Sequence, residues 1–185
     1  HISLNGADSL SRSQAEVEGR RSVARLAAWA RKRVKGAQRI QPVACGGEVA
    51  VRESRRIMGD HVITAAEYVG AAAYPDGVCY SYYPVDLHAD GEQTLHNIAV
   101  TKDRVPQIPL SAMLVKGMDN LLAAGRCASG DRLAQSAFRV KASCMAMGQA
   151  AGAAAALAAG RELREVPLEE IRSLLRAQGA IVPEI

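Results

Sequence analysis

Hydrophobic and polar positions repeat with different periods along this chain, and the period predicts the element. From Ser11 to about Lys35, Val17, Ala24, Ala27, Ala28 and Ala30 recur at helical spacing, with Leu26 and Trp29 beside the stripe. Ser11 or Ser13 can cap that helix and Gly36 can end it. From Glu48 to Met58 the period falls to two. Val49, Val51, Glu53, Arg55 and Ile57 then share one face, and Arg52, Ser54 and Arg56 the other, as in a strand. Thr64 with Glu67 three residues on is a capping box for a short helix through Ala72. A turn at Tyr74-Pro75-Asp76-Gly77 leads to a second strand, Val78 to His88, interrupted by Pro84. Asp90-Gly91 signals a hairpin, with a further strand near Asn97 to Thr101. Val105 to Leu110 holds two prolines and suits an extended edge.

The last third reads differently. Leu121 to Ala124 predicts a short buried strand. A polar, glycine-containing turn follows, then a helix from near Val140–Ala142 to Gly160 built almost wholly of small residues. Gly148 and Gly152 share a face there, with Ala151, Ala155 and Ala159 beside them, so another backbone can approach closely. By itself that pattern favours an ordinary alanine-rich core helix. Its first amides, around Ser143, Cys144 and Met145, are expected to be free donors at the positive end of the helix dipole. They suit an anion or an electron-rich carbonyl. A final amphipathic helix, Leu168 to Gln178, follows Pro167 and closes at Gly179.

Composition changes this picture in one respect. Hydrophobic residues make up 49% of the 185, but aromatics only 4%, and much of the remainder is alanine. The core is thin for its length, so some faces are expected to meet a partner or a further segment. The net charge is +4, with a basic cluster between Arg12 and Arg39. No aromatic stacking platform accompanies the cluster, so a solvated helix face is expected rather than a nucleic-acid surface. The four cysteines, Cys45, Cys79, Cys127 and Cys144, have no zinc spacing, and reduced thiols in a cytoplasmic protein are expected. The Ala150–Ala159 run is too short and too weakly apolar to span a membrane, and no signal peptide is visible. The first residue is His1, so further residues are expected to precede it in the gene product or to have been cut away.

Candidate chemistry is sparse. Arg52 and Arg56 would stand about 13 Å apart on a straight strand, so one arginine, rather than a fork of two, can grip an anionic substrate. Pairing with Glu48 or Glu53 is the alternative. His88, with Asp86 two residues earlier, can act as a proton acceptor or simply end a strand. Cys127 has no resolving thiol nearby and reads as a small neutral residue.

The ordered segments NLLAAGRC and SAFRVKASCMAMGQAAGAAAAL resemble the C-terminal part of FAD-dependent oxidoreductases of the glutathione-reductase-like superfamily. VRESRRIMGDHVIT, YYPVDLH and an IPL segment match that family in the same order, from NGAD at Asn5 to RAQGAIV. The resemblance implies an α/β fold of mixed α+β character. Residues 1–115 would be part of a substrate-domain sheet, and 116–185 the terminal strand and Ala/Gly-rich helix of an FAD-binding domain. It further implies that Gly125, Arg126 and Cys127 lie beside the flavin or its ribityl chain. Arg139 would lie near the cofactor or brace the loop. The amides of Ser143, Cys144 and Met145 would face the flavin pyrimidine ring. His88 and Arg52 would serve a small-molecule substrate.

Two segments depart from the common family pattern. The segment after the proline is Pro109-Leu110-Ser111-Ala112-Met113, and Asp131-Arg132 stands where many relatives carry a histidine. The sequence also holds no GxGxxG fingerprint, so the ADP half of FAD has no evident seat on it. The expected partner is therefore a missing N-terminal FAD domain or a separate chain, and the isolated chain is expected to be a poor enzyme. The alternative is a non-catalytic module that associates with itself or with an FAD-binding subunit through its small-residue faces.

Overall fold

The computed structural model describes residues 2, 4–88 and 95–184. The chain divides into two compact units, 1–55 and 56–185. Among the described residues, mixed helices and small antiparallel sheets make it an α/β protein of α+β character, as the sequence implied.

The first unit is one long helix with a returning tail. Helix α1 spans Ser9–Arg33. Its cap is Asp8 rather than Ser11 or Ser13. The Asp8 carboxylate accepts the Ser11 amide at 2.7 Å, while the Ser11 hydroxyl accepts the Asn5 amide at 2.9 Å. The expected apolar stripe does not form a core. Only Ala15 and Ala30 are buried, whereas Leu26 and Trp29 are 63% and 56% exposed. Several basic residues stay exposed, but they also tie down the tail. Arg31 donates to the Ile40 carbonyl at 2.9 Å, Arg20 to that of Gly47 at 3.4 Å, and Arg12 pairs with Glu48 at 3.3 Å. The tail is not the predicted strand: residues 48–58 are irregular throughout. Alternation alone does not make a strand.

The second unit holds the core. Helix α2, Ala65–Val69, starts on the predicted capping box: Thr64 accepts the Glu67 amide, and the Glu67 carboxylate accepts the Thr64 amide. Pro84 divides the expected Val78–His88 strand into β1, Gly77–Tyr80, and β2, Val85–His88, which enter different sheets. Strand β3 is Leu95–Ile98 and β4 is Gln107–Pro109. β1 pairs antiparallel with β4, Tyr80 opposite Gln107, with an irregularity between Gly77 and Cys79. β2 pairs antiparallel with β3, Asp86 opposite Asn97. The Asp90-Gly91 turn signal lies outside the described residues. Leu121–Ala124 is not a strand; it makes a single bridge, Leu122 to Leu114, and Leu121 is 43% exposed.

Three helices complete the unit: α3, Arg132–Phe138, α4, Lys141–Leu157, and α5, Leu168–Ala177. Ile63, Tyr68, Val78, Ile108, Phe138 and Met147 fill the space between them and the sheets. α5 adds Ile171 and Leu175, fully buried side chains that each stabilise by about 1.5–3 kcal/mol. α5 also buries Arg172, whose guanidinium donates to the Gly77 carbonyl at 2.7 and 3.0 Å and to the Pro75 carbonyl at 2.9 Å. The basic side chain thus serves as a three-bonded pin on the Tyr74–Gly77 turn.

Candidate active site

The site is built where a glycine turn meets the start of α4. Residues Gly125–Cys127 form one turn of 3-10 helix. Gly125 has φ +83°, a conformation that suits glycine, and a Cβ there would stand 3.7 Å from the Cβ and Sγ of Cys144. The turn commits its carbonyls to the protein. That of Gly125 accepts the Ala128 amide at 3.1 Å, that of Cys127 the Ile57 amide at 2.9 Å, and that of Arg126 the Gln135 side-chain amide at 2.9 Å. Arg126 and Cys127 are exposed and Gly125 is buried.

Helix α3 positions this turn, and the sequence reading missed it. Its signal was available: an aspartate directly before an apolar run. Asp131 caps two helices at once, accepting the Ala134 amide of α3 at 2.7 Å and the Ala65 amide of α2 at 2.6 Å. Gly130, just before it, lies against Phe138, where a Cβ would sit 2.7 Å from the ring. Asp131 thus has a structural role at the start of both α2 and α3. Arg139 ends α3 and braces rather than projects. It is 8% exposed, and its guanidinium donates to the Asp86 carbonyl at 3.0 Å. The Asp86 amide in turn donates to the Ser136 hydroxyl at 3.1 Å, so α3 grips strand β2 through both sides of one residue.

Helix α4 begins at Val140, whose extended backbone (φ −70°, ψ 155°) breaks it from α3 without a glycine or proline. No side chain caps it. The orphan donors lie slightly earlier than expected. The Cys144 amide already bonds to the Val140 carbonyl at 2.9 Å, so the amides preceding the intrahelical ladder are those of Lys141, Ala142 and Ser143. Ser143 is 2% exposed, and its hydroxyl meets that of Ser81 at 2.7 Å. Met145 is 74% exposed, and Cys144 is half-buried beside Gly125. Burial pushes the Cys144 thiol up; the nearby Arg126 guanidinium opposes the rise and Cys127 adds to it. Burial alone pushes Cys79 up to about 12. Burial also draws the Glu67 carboxyl upward, but hydrogen bonds from Thr64 and the neighbouring His61 leave it below its ordinary value.

The structure therefore brings Gly125, between Ala124 and Arg126 in the turn, against Cys144 of α4; Ser143 and Met145 flank Cys144 in sequence, the first turned inward onto Ser81 and the second exposed, and Arg139 bonds to β2. Arg52 is exposed and belongs to the first unit. His88 ends β2 opposite Leu95; its side chain lies outside the described part of the structure. The residues present fit the edge of an electron-rich ring: uncapped amides at a helix start, a glycine permitting close approach, and an adjacent guanidinium. Among the described residues, no group of three metal-ligating side chains occurs and no helix is long and apolar enough to cross a membrane.

The family described as FAD dependent oxidoreductase matches residues 1–175, so the chain belongs to that family, whose cofactor is FAD. No curated protein and no solved structure matches it.

Proposed function

We propose that this FAD-dependent oxidoreductase meets the flavin ring with its Gly125–Cys127 turn and the amino end of α4, as the C-terminal portion of a complete enzyme. The observation that carries this reading is the family match over residues 1–175, taken with the approach of Gly125 to Cys144 at the start of an uncapped helix. Bound FAD supplies hydride exchange with a small organic substrate. The chain supplies orientation and charge. The amides of Lys141 to Ser143 and the dipole behind them would favour negative charge on the edge of a bound flavin ring. Arg126 adds positive charge from the turn, and Arg139 holds α3 and β2 in register behind it. His88 accepts a proton, and Arg52 grips an anionic substrate group. The seat for the ADP half lies outside these residues, on an N-terminal domain or a partner chain.

Thiol alkylation tests the reading. At high FAD concentration, Cys127 and Cys144 should be shielded while Cys45 reacts as before. Unchanged alkylation of Cys127 and Cys144 would remove the flavin edge from this place. An absorption spectrum after desalting tests the second half of the proposal. Stoichiometric retention of FAD by the chain alone, with turnover, would show that it needs no further domain.

A second reading is favoured by one observation. The Gly148 and Gly152 face of α4 is exposed, with open space where their Cβ atoms would be. A groove of about 840 Å³ runs along its later turns, lined by Leu122, Gly152, Ala155 and neighbours. In this reading the chain is an association module, with itself or with an FAD-binding subunit. Light scattering showing a clean monomer that binds no partner would dismiss it.

A further inference from the structure

We propose that Tyr68 is a positioning residue for the amino end of α4, acting through Ser81 on Ser143. The functional meaning of this relay rests on the flavin-edge reading above; its existence does not. Tyr68 stands on α2 and is 1% exposed. Its phenol oxygen lies 2.9 Å from the Ser81 hydroxyl, 3.0 Å from the Ser81 carbonyl and 3.1 Å from the Tyr83 carbonyl. The Ser81 hydroxyl then meets that of Ser143 at 2.7 Å. Ser81 and Ser143 are each 2% exposed, so water does not compete for these groups.

Proton counting gives the chain a direction. Three hydroxyls hold three protons, and carbonyls cannot donate. Two carbonyls face the Tyr68 oxygen, so its one proton goes to them. Ser81 then donates to Tyr68, and Ser143 donates to Ser81. The reverse order would leave both carbonyls opposite lone pairs at 3.0 and 3.1 Å in a buried site, which is costly. Burial pushes the Tyr68 phenol up, so it keeps its proton. Two consequences follow for α4. Ser143 spends its hydroxyl proton inward, so the donor it can offer a bound ring is its backbone amide. And the first turn of α4, which has no capping side chain, is held in place by Ser143 instead.

Removing the Tyr68 hydroxyl removes the acceptor for Ser81. Ser81 is then free to donate to Ser143, and Ser143 must turn its own proton outward or onto its own helix. Tyr68→Phe keeps the buried ring and changes only this. Hydrogen exchange on the full chain reads the effect. Ser81→Ala should speed amide exchange at residues 144–147 by about fivefold, the value of one buried hydrogen bond, and Tyr68→Phe, in which the Ser81–Ser143 bond can survive reversed, by about twofold. Residues 168–177 of α5 should not change. Ser143→Ala should match Ser81→Ala, Tyr68→Phe should add nothing to it, and Ser143→Thr should keep the protection of the unaltered chain. Unchanged exchange at 144–147, or a rise spread over α5 as well, would overturn the relay. Shielding of Cys127 and Cys144 by FAD is measured separately, so the relay stands or falls on exchange alone, whatever becomes of the flavin reading.

Discussion

Helices α1 and α5 show that length and packing are separate properties. α1 runs for 25 residues and buries two alanines; α5 runs for 10 and buries Ile171, Arg172 and Leu175. The difference is the arrangement of apolar side chains. In α5, Leu168, Ile171, Leu174 and Leu175 gather on one side, and that side meets the core. In α1, Leu10, Val17, Val23, Leu26 and Trp29 are all exposed, and arginines intervene. Helical propensity and a good cap are enough to draw α1; tertiary packing is what stabilises α5.

That contrast can be broken from its strongest side first. Arg172→Ala should cost about 3 kcal/mol, because it removes three buried hydrogen bonds and leaves the Gly77 carbonyl without its guanidinium donor. Urea unfolding followed by the helical signal would check this, and a loss under about 1 kcal/mol would show that the buried guanidinium is idle. Asp131→Ala comes next. It uncaps α3 and takes the acceptor from the Ala65 amide at the start of α2, whose Thr64 cap remains, and should cost about 2 kcal/mol, one cap and one further hydrogen bond. Asp131→Asn, which keeps an acceptor, should recover roughly half, and equal losses in both variants would refute the double cap. Least affected is α1: Trp29→Ala should change stability by less than about 0.5 kcal/mol, since the ring is 56% exposed. A larger loss in calorimetry would mean that α1 is packed after all.

Local chemistry made much of this fold legible. The Thr64–Glu67 box, the proline at 84 and the Gly179 stop act within a few residues, so reading them needs no knowledge of neighbours. The misses have a common cause. Among the described residues, Glu48–Met58 carries a strand pattern but is irregular, and Leu121–Ala124 reaches only one bridge, Leu122 to Leu114; alternation does not show how far pairing will extend. α3 was hidden because Val140, not a glycine or proline, separates it from α4. At the candidate site, Gly125, Arg126, Cys127, Ser143, Cys144 and Met145 stood out by sequence order and resemblance. Gln135, Ser81 and Tyr68 did not, because their importance comes from contacts across 9, 62 and 13 residues of chain.

By itself, then, the sequence determined the turns, the caps, the small-residue character of α4 and the family to which the chain belongs, since each is written in adjacent residues or in their order. Only the tertiary structure decided which amides at the start of α4 remain unspent, that Asp131 caps two helices, and that a tyrosine hydroxyl reaches Ser143. Hydrogen bonds select partners by position in space, and a buried donor takes whatever acceptor folding brings within about 3 Å.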